Sequence, residues 1–540
     1  MLKNKLHLIV LSMAASALTA PAALAAPAPL DLALLGRTPA GGEATAEIAA
    51  FDPKTKRVFA TDAENNQLDV FDFSKPATPL PLTPIELSAF GAGPNSVVYL
   101  PELRAVAVAV EAAKVGEPGN VVVFDAKKGT HLATFPAGPL PDMVTTTEDD
   151  RYLLVANEGE PADDGSVDPE GSVTIIDLDR GLKKAKIETA DFHDVPLRGP
   201  VRIYTPGSTV EQDLEPEYIT TSGDWAWVSI QEANAIGVLD IEEAEFVSVR
   251  SLGFKNHGLA ENAFDATDTG ATANIELHAS VYGMYQPDAI SAFTVKVRAP
   301  EDWPSEWEWL GKGLDRQNKH GRSHGHRSDY VTRTLIATAN EGDSRDWDFF
   351  AEESRVSALK LAPEVFPGAA GSNSQLGRLT VTKTLGNTDA DPEYEQLYAL
   401  GGRSMSLLSP SGRVVYDTGD QLERLSATLD GGNFNKDNAA SNVDNRSDNK
   451  GPEPEAVTTG EIDGHTYAFL GAERSGMIYA FDLSSTPGEA EFAGWINTRD
   501  GDLGPEGIEF VPEWHSPTGD PMLLVTYEIS GTVAAYSVTP

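Results

Sequence analysis

The stretch PDMVTTTEDDRYLLVANEGE at residues 141–160, followed by GSVTIIDL at residues 171–178, decides the fold. It opens with proline and an acidic residue, continues through an apolar pair and a turn, and closes its next apolar run with a glutamate. Runs rich in β-branched residues and bounded by Gly, Asn and Asp are typical of short antiparallel strands. The stretch therefore predicts three consecutive strands joined by tight connections.

The same pattern recurs along the chain. Clear copies begin at Pro94-Asn95, Pro216-Glu217, Pro287-Asp288, Pro454-Glu455 and Pro505-Glu506, a copy without the proline begins at Glu47-Ile48, and a degenerate copy lies near Gly402-Arg403-Ser404 with RVVYDTGD. Asn95 lies 47 residues before Asp142, and Glu455 lies 51 residues before Glu506. A period of this length corresponds to about four strands, the size of one propeller blade. We predict an all-β protein, a β-propeller with seven four-stranded antiparallel blades, or eight as the alternative count. A pair of two-sheet β-sandwiches is the competing fold.

The composition excludes several classes of partner. The 540 residues include 82 acidic and 41 basic residues, a net charge of −41, and no cysteine. Nucleic acids and anionic membranes are bound by clustered Lys and Arg, so neither is expected as a partner. No C-x-x-C-H, P-loop or dinucleotide fingerprint occurs in a suitable context, so we expect no haem and no nucleotide. An acidic excess of this size needs either a solvated surface or bound cations.

The N-terminus indicates export. Residues 1–25, MLKNKLHLIVLSMAASALTAPAALA, combine Lys3 and Lys5, an apolar stretch and a small-residue cleavage site. This is the pattern of a secretory signal peptide. A membrane anchor is disfavoured because the apolar run is short and broken by Pro21. We expect a periplasmic or extracellular protein without a transmembrane segment in the mature chain, a monomer with one propeller domain over residues 26–540.

Two segments interrupt the repeat. Residues 299–329 form an insertion rich in Trp, His and basic residues, including His320, His324 and His326. A solvated loop is favoured there over a transition-metal site. Residues 430–452, DGGNFNKDNAASNVDNRSDNKGP, form a polar loop. Both are expected on a propeller face, where loops carry function.

The repeat places acidic residues at two equivalent positions. The first position holds Asp142, Glu217, Asp288, Glu455 and Glu506, with Asn95 in another copy, and the second holds Glu64, Glu111, Glu158, Glu232, Glu341, Glu473 and Glu528. Innermost propeller strands surround an axis, so each set should form a ring. Carboxylates at such short distances repel one another unless they are protonated, hydrated or bridged by cations. Ca²⁺ takes 6–8 oxygen ligands, whereas zinc and copper prefer the Cys and His that these positions lack. The alternative is that the acids cap turns and bond backbone amides of the next blade.

A few basic residues lie among these acids. Arg345 ends the segment NEGDSR, and Arg446 and Lys450 lie in NVDNRSDNKGPEPE. An Arg among metal-type carboxylates could bind an anionic oxygen of a substrate. A metal ion together with such a group is suited to phosphoester hydrolysis. Ordinary salt bridges between loops are the alternative.

Several long motifs resemble one known family. The segments PDMVTTTEDDRYLLVANEGEP, GMYQPDAI, ATANEGDSRDWDFFAEESRV, NVDNRSDNKGPEPEAV and DLGPEGIEFVP are similar to the choice-of-anchor I family, which includes the mesenchyme-specific cell-surface glycoprotein group. The resemblance covers roughly residues 35–538 and implies an exported β-propeller of the YVTN type. Some relatives carry an alkaline-phosphatase label, and the Pro-Glu-Gly and Glu motifs also resemble calcium-dependent phosphatase and phytase propellers. By that resemblance the anion contacts would be Arg345 and Arg446, and the metal ligands would be Glu158, Asp288, Glu341, Glu455, Glu473, Glu506 and Glu528. The chain departs from the family in the 299–329 insertion and in ending at Ser537-Val538-Thr539-Pro540 without a sorting signal or a hydrophobic anchor.

Two functions follow from these observations. The first is an exported calcium-dependent phosphoester hydrolase acting on a small phosphorylated substrate. The alternative is a non-catalytic binding or adhesion propeller that Ca²⁺ stabilises and that takes a cell-surface or extracellular ligand.

Overall fold

The computed structural model describes residues 29–270, 272–298, 330–367, 375–389, 391–439, 442–484 and 488–540. The predicted signal peptide and the 299–329 insertion therefore lie outside the described residues. No helix in the described ranges is long and apolar enough to span a membrane.

Short strands make up most of the regular structure. In chain order they are β1 (Asp31–Arg37), β2 (Ala49–Asp52), β3 (Arg57–Asp62), β4 (Gln67–Asp72), β5 (Leu80–Pro81), β6 (Ile85–Glu86), β7 (Pro94–Leu100), β8 (Ala105–Val110), β9 (Pro118–Asp125), β10 (His131–Pro139), β11 (Pro141–Thr146), β12 (Tyr152–Asn157), β13 (Ser172–Asp177), β14 (Lys186–Asp191), β15 (Leu197–Arg198), β16 (Ile219–Ser222), β17 (Trp225–Ile230), β18 (Ala235–Asp240), β19 (Glu245–Ser251), β20 (Phe254–Asn256), β21 (Val281–Met284), β22 (Ile290–Arg298), β23 (Tyr330–Asn340), β24 (Asp346–Trp347), β25 (Phe350–Ala351), β26 (Glu353–Arg355), β27 (Thr380–Thr382), β28 (Leu397–Ala399), β29 (Ser404–Leu408), β30 (Val414–Asp417), β31 (Pro454–Ile462), β32 (His465–Ala472), β33 (Met477–Asp482), β34 (Glu491–Asn497), β35 (Pro505–Val511), β36 (Met522–Tyr527) and β37 (Thr532–Thr539). The α-helices of the described ranges are α1 (Gln375–Arg378) and α2 (Gln421–Leu429), and 3-10 turns cover Leu182–Lys184, Ala260–Asn262, Val356–Ala358 and Gly431–Asn433.

Seven of the sheets follow one another around an axis. They are sheet 1 (β2–β6), sheet 2 (β7–β10), sheet 3 (β11–β14), sheet 4 (β15–β19), sheet 5 (β22, β23, β29 and β30), sheet 6 (β31–β34) and sheet 7 (β35–β37 with β1). The first main strands, β2, β7, β11, β16, β22, β31 and β35, contact one another in that order, and β35 contacts β2 again. This closed cycle confirms the predicted all-β propeller, with seven sheets in it among the described residues.

The ring closes by pairing the two ends of the described chain. Strand β1 is antiparallel to β37, with Asp31 opposite Thr539 and Arg37 opposite Ala534. Sheet 7 therefore takes its outermost strand from the start of the chain and its other three from the end. Closure of this kind removes the long unpaired sheet edge that an open ring would expose.

The core lies between neighbouring sheets. One hydrophobic cluster fills each of the seven contacts between consecutive sheets, including the contact of sheet 7 with sheet 1. Because neighbours cover both faces of each sheet, its central strands are apolar on both faces. All six residues of β8, AVAVAV, are 0% exposed. Burial of one Val side chain contributes roughly 1.5–3 kcal/mol to stability.

An eighth core belongs to an added sheet that the sequence did not predict. Its strand order is β20-β21-β28-β27-β26, and Phe264, Phe366 and Leu397 are among its core residues. The segment that carries β24–β28 lies between β23 and β29, which are paired in sheet 5. The copy beginning at Pro287 and the degenerate copy near Arg403 are consequently parts of one sheet.

Candidate metal centre in the axial cavity

The strand directions bring both acidic positions to one end of the axis. The first position lies at or just before the start of each first main strand, as at Asp142 in β11 and Glu217 before β16. The second follows the end of the neighbouring antiparallel strand, as at Glu158 after β12 and Glu232 after β17. Since paired antiparallel strands run in opposite directions, the start of one lies beside the end of the other. Glu47, in the copy without proline, takes the first position before β2.

A cavity of about 490 Å³ opens at this acidic end of the axis. The acidic residues that line it are Glu47, Asp142, Glu158, Glu160, Glu217, Glu232, Asp288, Glu341, Asp343, Asp346, Glu455 and Glu506. Among the lining residues that the structure describes, Arg345 is the basic one. The cavity therefore gathers part of the −41 charge of the chain at one site.

The opposite end of the axis differs in chemistry. A second cavity, of about 410 Å³, is lined by apolar side chains such as Ala50, Val98 and Ile290, with Glu509 among them. Burial raises the pKa of Glu509 to about 8. The concentration of acids is thus a property of one end of the channel.

Three carboxylates converge in the acidic cavity. Asp288, Glu341 and Glu455 each offer one oxygen, and the three oxygens lie within 4.8 Å of one another. Asp288 and Glu341 flank the β22–β23 pair of sheet 5, and Glu455 lies in β31 of sheet 6. Glu341 accepts hydrogen bonds from Lys450 Nζ at 2.7 Å and from Gln231 Nε2 at 3.1 Å. Oε2 of Glu455 is buried and has no hydrogen-bond partner among the described residues.

Burial and mutual repulsion make these carboxylates unusually basic. Burial raises the pKa of Glu455 well above its ordinary value, and Glu506, Glu473, Glu341 and Asp288 raise it further. Burial raises the pKa of Asp142 to about 7. A divalent cation among these oxygens would favour their charged forms and relieve the repulsion.

The predicted metal ligands fall into two groups. Glu158, Asp288, Glu341, Glu455 and Glu506 line the cavity. Glu473 and Glu528 are outside this lining set; they raise the pKa of Glu506 after the effects of its burial and of Asp288. Glu473 accepts a hydrogen bond from Asn438 Nδ2 and forms an ion pair with Arg474 Nε, both at 2.9 Å. The oxygens of Glu473 are thus already occupied by protein donors.

Both predicted anion contacts bind protein carboxylates instead. Arg345 is 2% exposed, and its guanidinium donates to Asp213, Glu215 and Thr205 through all five of its N–H groups. Nε of Arg446 donates to Glu453 at 2.7 Å. An anion-binding role for either arginine stays a prediction, which these contacts do not support.

The structure adds residues to which the sequence assigned no role. Glu453 is 0% exposed and is surrounded by Lys450, Arg446 and Arg474 at 3.7, 2.7 and 3.2 Å. Burial would raise the pKa of Glu453, but these three cations lower it below its ordinary value. Lys450 thereby links this ion-pair network to the converging carboxylates. The alternation of basic and acidic residues in NVDNRSDNKGPEPE was the available signal.

The donor set suits a hard cation. Carboxylate and amide oxygens are the ligands that Ca²⁺ and Mg²⁺ take, and Ca²⁺ tolerates irregular sites with 6–8 oxygens. No His occurs among the described lining residues, and the chain has no Cys, so the soft or nitrogen-rich sites of zinc and copper are not formed here. The residues therefore fit a calcium-type ion.

The chain matches one protein family and one curated relative. The family model of the Choice-of-anchor I domain matches residues 47–299 and 328–486. Gigasin-3a from Magallana gigas is 33% identical over 184 residues, which are 30% of this chain and 64% of Gigasin-3a. The match thus spans less than two thirds of that relative.

Solved structures of low sequence identity align over most of this chain. A chain of Kuenenia stuttgartiensis hydrazine synthase aligns over 92% of this chain and 96% of its own length, with 11% identity and a TM-score of 0.45. The β-propeller domain of Myceliophteria thermophila Cps50 (Swd1) aligns over 94% and 100%, with 9% identity and a TM-score of 0.44. Likeness at this level carries no argument about activity.

Proposed function

The chain belongs to the choice-of-anchor I family, and from that premise we propose that it is an exported β-propeller whose axial cavity binds Ca²⁺. The family supports an extracellular or cell-surface location. Bound Ca²⁺ would stabilise the fold and prepare one face of the ring for an extracellular ligand. The predicted signal peptide in residues 1–25 agrees with this location.

One observation carries the proposal. Asp288, Glu341 and Glu455 place one oxygen each within 4.8 Å of one another, and Glu455 keeps a buried oxygen without a partner. A buried polar atom without a hydrogen bond costs about 1–3 kcal/mol, and more when the group is charged. Coordination of a cation would remove that cost. Asp288 and Glu455 are 167 residues apart in the sequence, so the fold, and not a local loop, brings these carboxylates together.

We favour binding over hydrolysis. The hydrolase predicted from the sequence would use Arg345 and Arg446 as anion contacts beside a metal ion. All five N–H groups of Arg345 are used by the protein, and Arg446 is paired with Glu453. Calcium-dependent hydrolysis is therefore not part of the proposal, and a phosphoester assay tests it separately.

The test is calcium binding by purified full-length protein. Calorimetric titration and thermal melting with and without chelator are run on the wild type, on Asp288→Asn/Glu455→Gln, and on Glu64→Gln. Glu64 has the equivalent repeat position in sheet 1 but is exposed and outside the cavity lining, which makes it a matched control. Metal content of the untreated protein is measured in parallel.

We expect chelator to lower the melting temperature of the wild type and of Glu64→Gln but not of the double variant. At a free Ca²⁺ concentration 100-fold above Kd, binding adds about 2.7 kcal/mol of stability. Equal responses of all three proteins to chelator would reject the site. Turnover of a chromogenic phosphomonoester or phosphodiester that chelator abolishes would replace the binding function by a hydrolytic one.

A further inference from the structure

The acidic cavity contains a second group of carboxylates, which comes from sheets that precede those of the converging carboxylates in the chain. We name the side with Asp288, Glu341 and Glu455 the Lys450 half, and the side with Glu158, Glu217 and Glu232 the Glu217 half. The Lys450 half comes from sheets 5 and 6, whereas the Glu217 half comes from sheets 3 and 4. Both halves line the same cavity.

The Glu217 half contains two buried carboxylate oxygens without partners. Glu217 is 9% exposed and Glu232 is 7% exposed. Oε2 of each has no hydrogen-bond partner among the described residues, although both side chains line the cavity. Two such atoms in one small volume are more than turn capping requires, because a cap would use the oxygens as acceptors.

Local strand geometry places Glu217 and Glu232 at the same end of the β16–β17 pair. Glu217 lies two residues before β16, and Glu232 lies two residues after β17, the antiparallel partner of β16. The backbone N–H of Glu217 donates a hydrogen bond to the backbone oxygen of Ser229 at 3.1 Å. After burial, Glu232 contributes most to the raised pKa of Glu217, followed by Asp288 and Glu158. The carboxylates of sheets 3, 4 and 5 therefore lie within electrostatic reach of one another across the cavity.

No described basic side chain pairs with Glu217. Arg345, the basic residue of the cavity lining, directs its N–H groups to Asp213, Glu215 and Thr205. The Lys450 half, in contrast, has the Lys450 ammonium 2.7 Å from Glu341. The three carboxylates of the Glu217 half therefore have no ion-pair partner among the described residues, although Arg345 is near enough to lower the pKa of Glu232.

We propose that Glu158, Glu217 and Glu232 bind a second divalent cation, of the hard type that takes oxygen ligands, separate from the ion of the Lys450 half. This inference rests on the proposed function, because it assumes a cation-binding cavity. It extends that function from one ion to two ions held by neighbouring pairs of sheets. The free oxygens of Glu217 and Glu232 would be ligands, and Glu158 would supply a third carboxylate.

The experiment is a count of bound ions. Equilibrium dialysis with Ca²⁺, and titration with luminescent Tb³⁺ as a Ca²⁺ substitute, are performed on full-length wild type, Glu217→Gln/Glu232→Gln, Asp288→Asn/Glu455→Gln and the Glu64→Gln control. We expect two ions in the wild type and the control and one ion in each double variant. Trp347 and Tyr218 line the cavity and would sensitise Tb³⁺ emission.

Other outcomes separate the two proposals. One ion in the wild type, retained by Glu217→Gln/Glu232→Gln and lost by Asp288→Asn/Glu455→Gln, would overturn this inference and leave the proposed function intact. No ion in the wild type would overturn both.

Folding of the variants has its own control. Replacing a repelling carboxylate by Gln should raise the melting temperature of the cation-free protein while lowering its gain on Ca²⁺ addition. If the double variant fails to fold, Glu158→Gln replaces it. At least a tenfold weaker second binding step in that variant supports the site, and an unchanged step contradicts it.

Discussion

The two halves of the axial cavity occupy equivalent positions of the repeat but differ in their counter-ions. In the Lys450 half, Glu341 is paired with Lys450 at 2.7 Å, and Lys450 is itself 3.7 Å from the buried Glu453. In the Glu217 half, Glu217 and Glu232 each keep a buried oxygen without a partner, as Glu455 does in the Lys450 half, but no described ammonium group is paired with either of them. The same repeat position thus has an internal ammonium partner in the Lys450 half, whereas our proposal assigns it an external cation in the Glu217 half.

The difference arises from a loop and not from the repeat itself. Lys450 belongs to the polar segment 430–452, which the sequence predicted as an interruption on a propeller face. Asn438 of the same segment donates to Glu473 at 2.9 Å. The segment thus contacts the second acidic position in both sheet 5 and sheet 6. This one-sided coverage makes an otherwise repetitive ring asymmetric.

Removal of the Lys450 ammonium group should have the largest effect on the difference between the two halves of the cavity. In Lys450→Met, Glu341 and Glu453 lose a buried partner, and we expect the cation-free protein to lose on the order of 3 kcal/mol of stability. Two unit charges 4 Å apart interact by about 1 kcal/mol in bulk water and about 4 kcal/mol at an effective dielectric constant of 20. Ca²⁺ should consequently bind the Lys450 half at least about tenfold more tightly in this variant.

Calorimetric titration and chelator-dependent melting of Lys450→Met measure both effects. Lys450→Arg, which keeps the charge, is the control and should stay close to the wild type. A Lys450→Met protein with wild-type calcium affinity would show that the ammonium group does not compete with the cation. The two halves would then differ less than their contacts indicate.

The pH dependence of stability should be the next largest effect. Burial raises the pKa of Glu232 from 4.5 to about 7, so the folded protein binds more protons than the unfolded chain between these values. Stability without Ca²⁺ should therefore fall as the pH rises from about 4.5 to about 7 and then level off for this group. Saturating Ca²⁺ should reduce this loss of stability because Ca²⁺ binds the ionised carboxylate.

Each double variant should show a weaker pH dependence than the wild type. Burial raises the pKa of Glu217 and of Glu455 well above their ordinary values. Basic groups partly offset the effect of burial in both halves, Arg345 at Glu232 and Lys450 at Asp288. Denaturant unfolding between pH 4.5 and 8, in chelator, should therefore show a flatter curve for Glu217→Gln/Glu232→Gln and for Asp288→Asn/Glu455→Gln than for the wild type. A double variant with a curve as steep as that of the wild type would indicate that its two carboxylates do not retain protons in the folded protein over this pH range.

The sequence was sufficient for the features that depend on the repeat. A fixed period with Pro and an acid at its start placed Asp142 and Glu217 at equivalent points of a propeller, and the structure brings both to one end of the axis. It could not show which acids are paired, because the pairs join distant segments. Arg345 meets Asp213 across 132 positions, and Lys450 meets Glu341 across 109. The segment NEGDSR alone therefore left both an anion contact and a salt bridge open for Arg345, and the folded chain pairs it with Asp213 and Glu215.

For a related reason, the sequence did not reveal that the segment carrying β24–β28 interrupts sheet 5. The Pro287 copy supplies β22 and β23, while the degenerate copy near Arg403 supplies β29 and β30 of the same sheet. The residues between them form strands of their own, with an apolar core around Phe366 and Leu397. This core also contains Phe264 and Val281 from the chain before β22, so the added sheet combines two separate segments. Only the pairing of β23 with β29 shows that the segment between these strands is inserted into sheet 5 and is not a blade of the ring.

The smallest effect is expected at Glu64, which tests whether repeat position alone defines the site. Glu64 follows β3 as Glu232 follows β17, but it is exposed and the axial cavity does not include it. Substitutions at exposed positions without special contacts usually change stability by less than about 0.5 kcal/mol. Glu64→Gln should accordingly keep wild-type melting, calcium stoichiometry and pH dependence, whereas Glu232→Gln should weaken the second binding step. A loss of one bound ion in Glu64→Gln would mean that the ring binds cations through all of its equivalent positions. In that case burial and the lack of a partner for one carboxylate oxygen, the two properties that distinguish Glu232 from Glu64, would not determine where the ions lie.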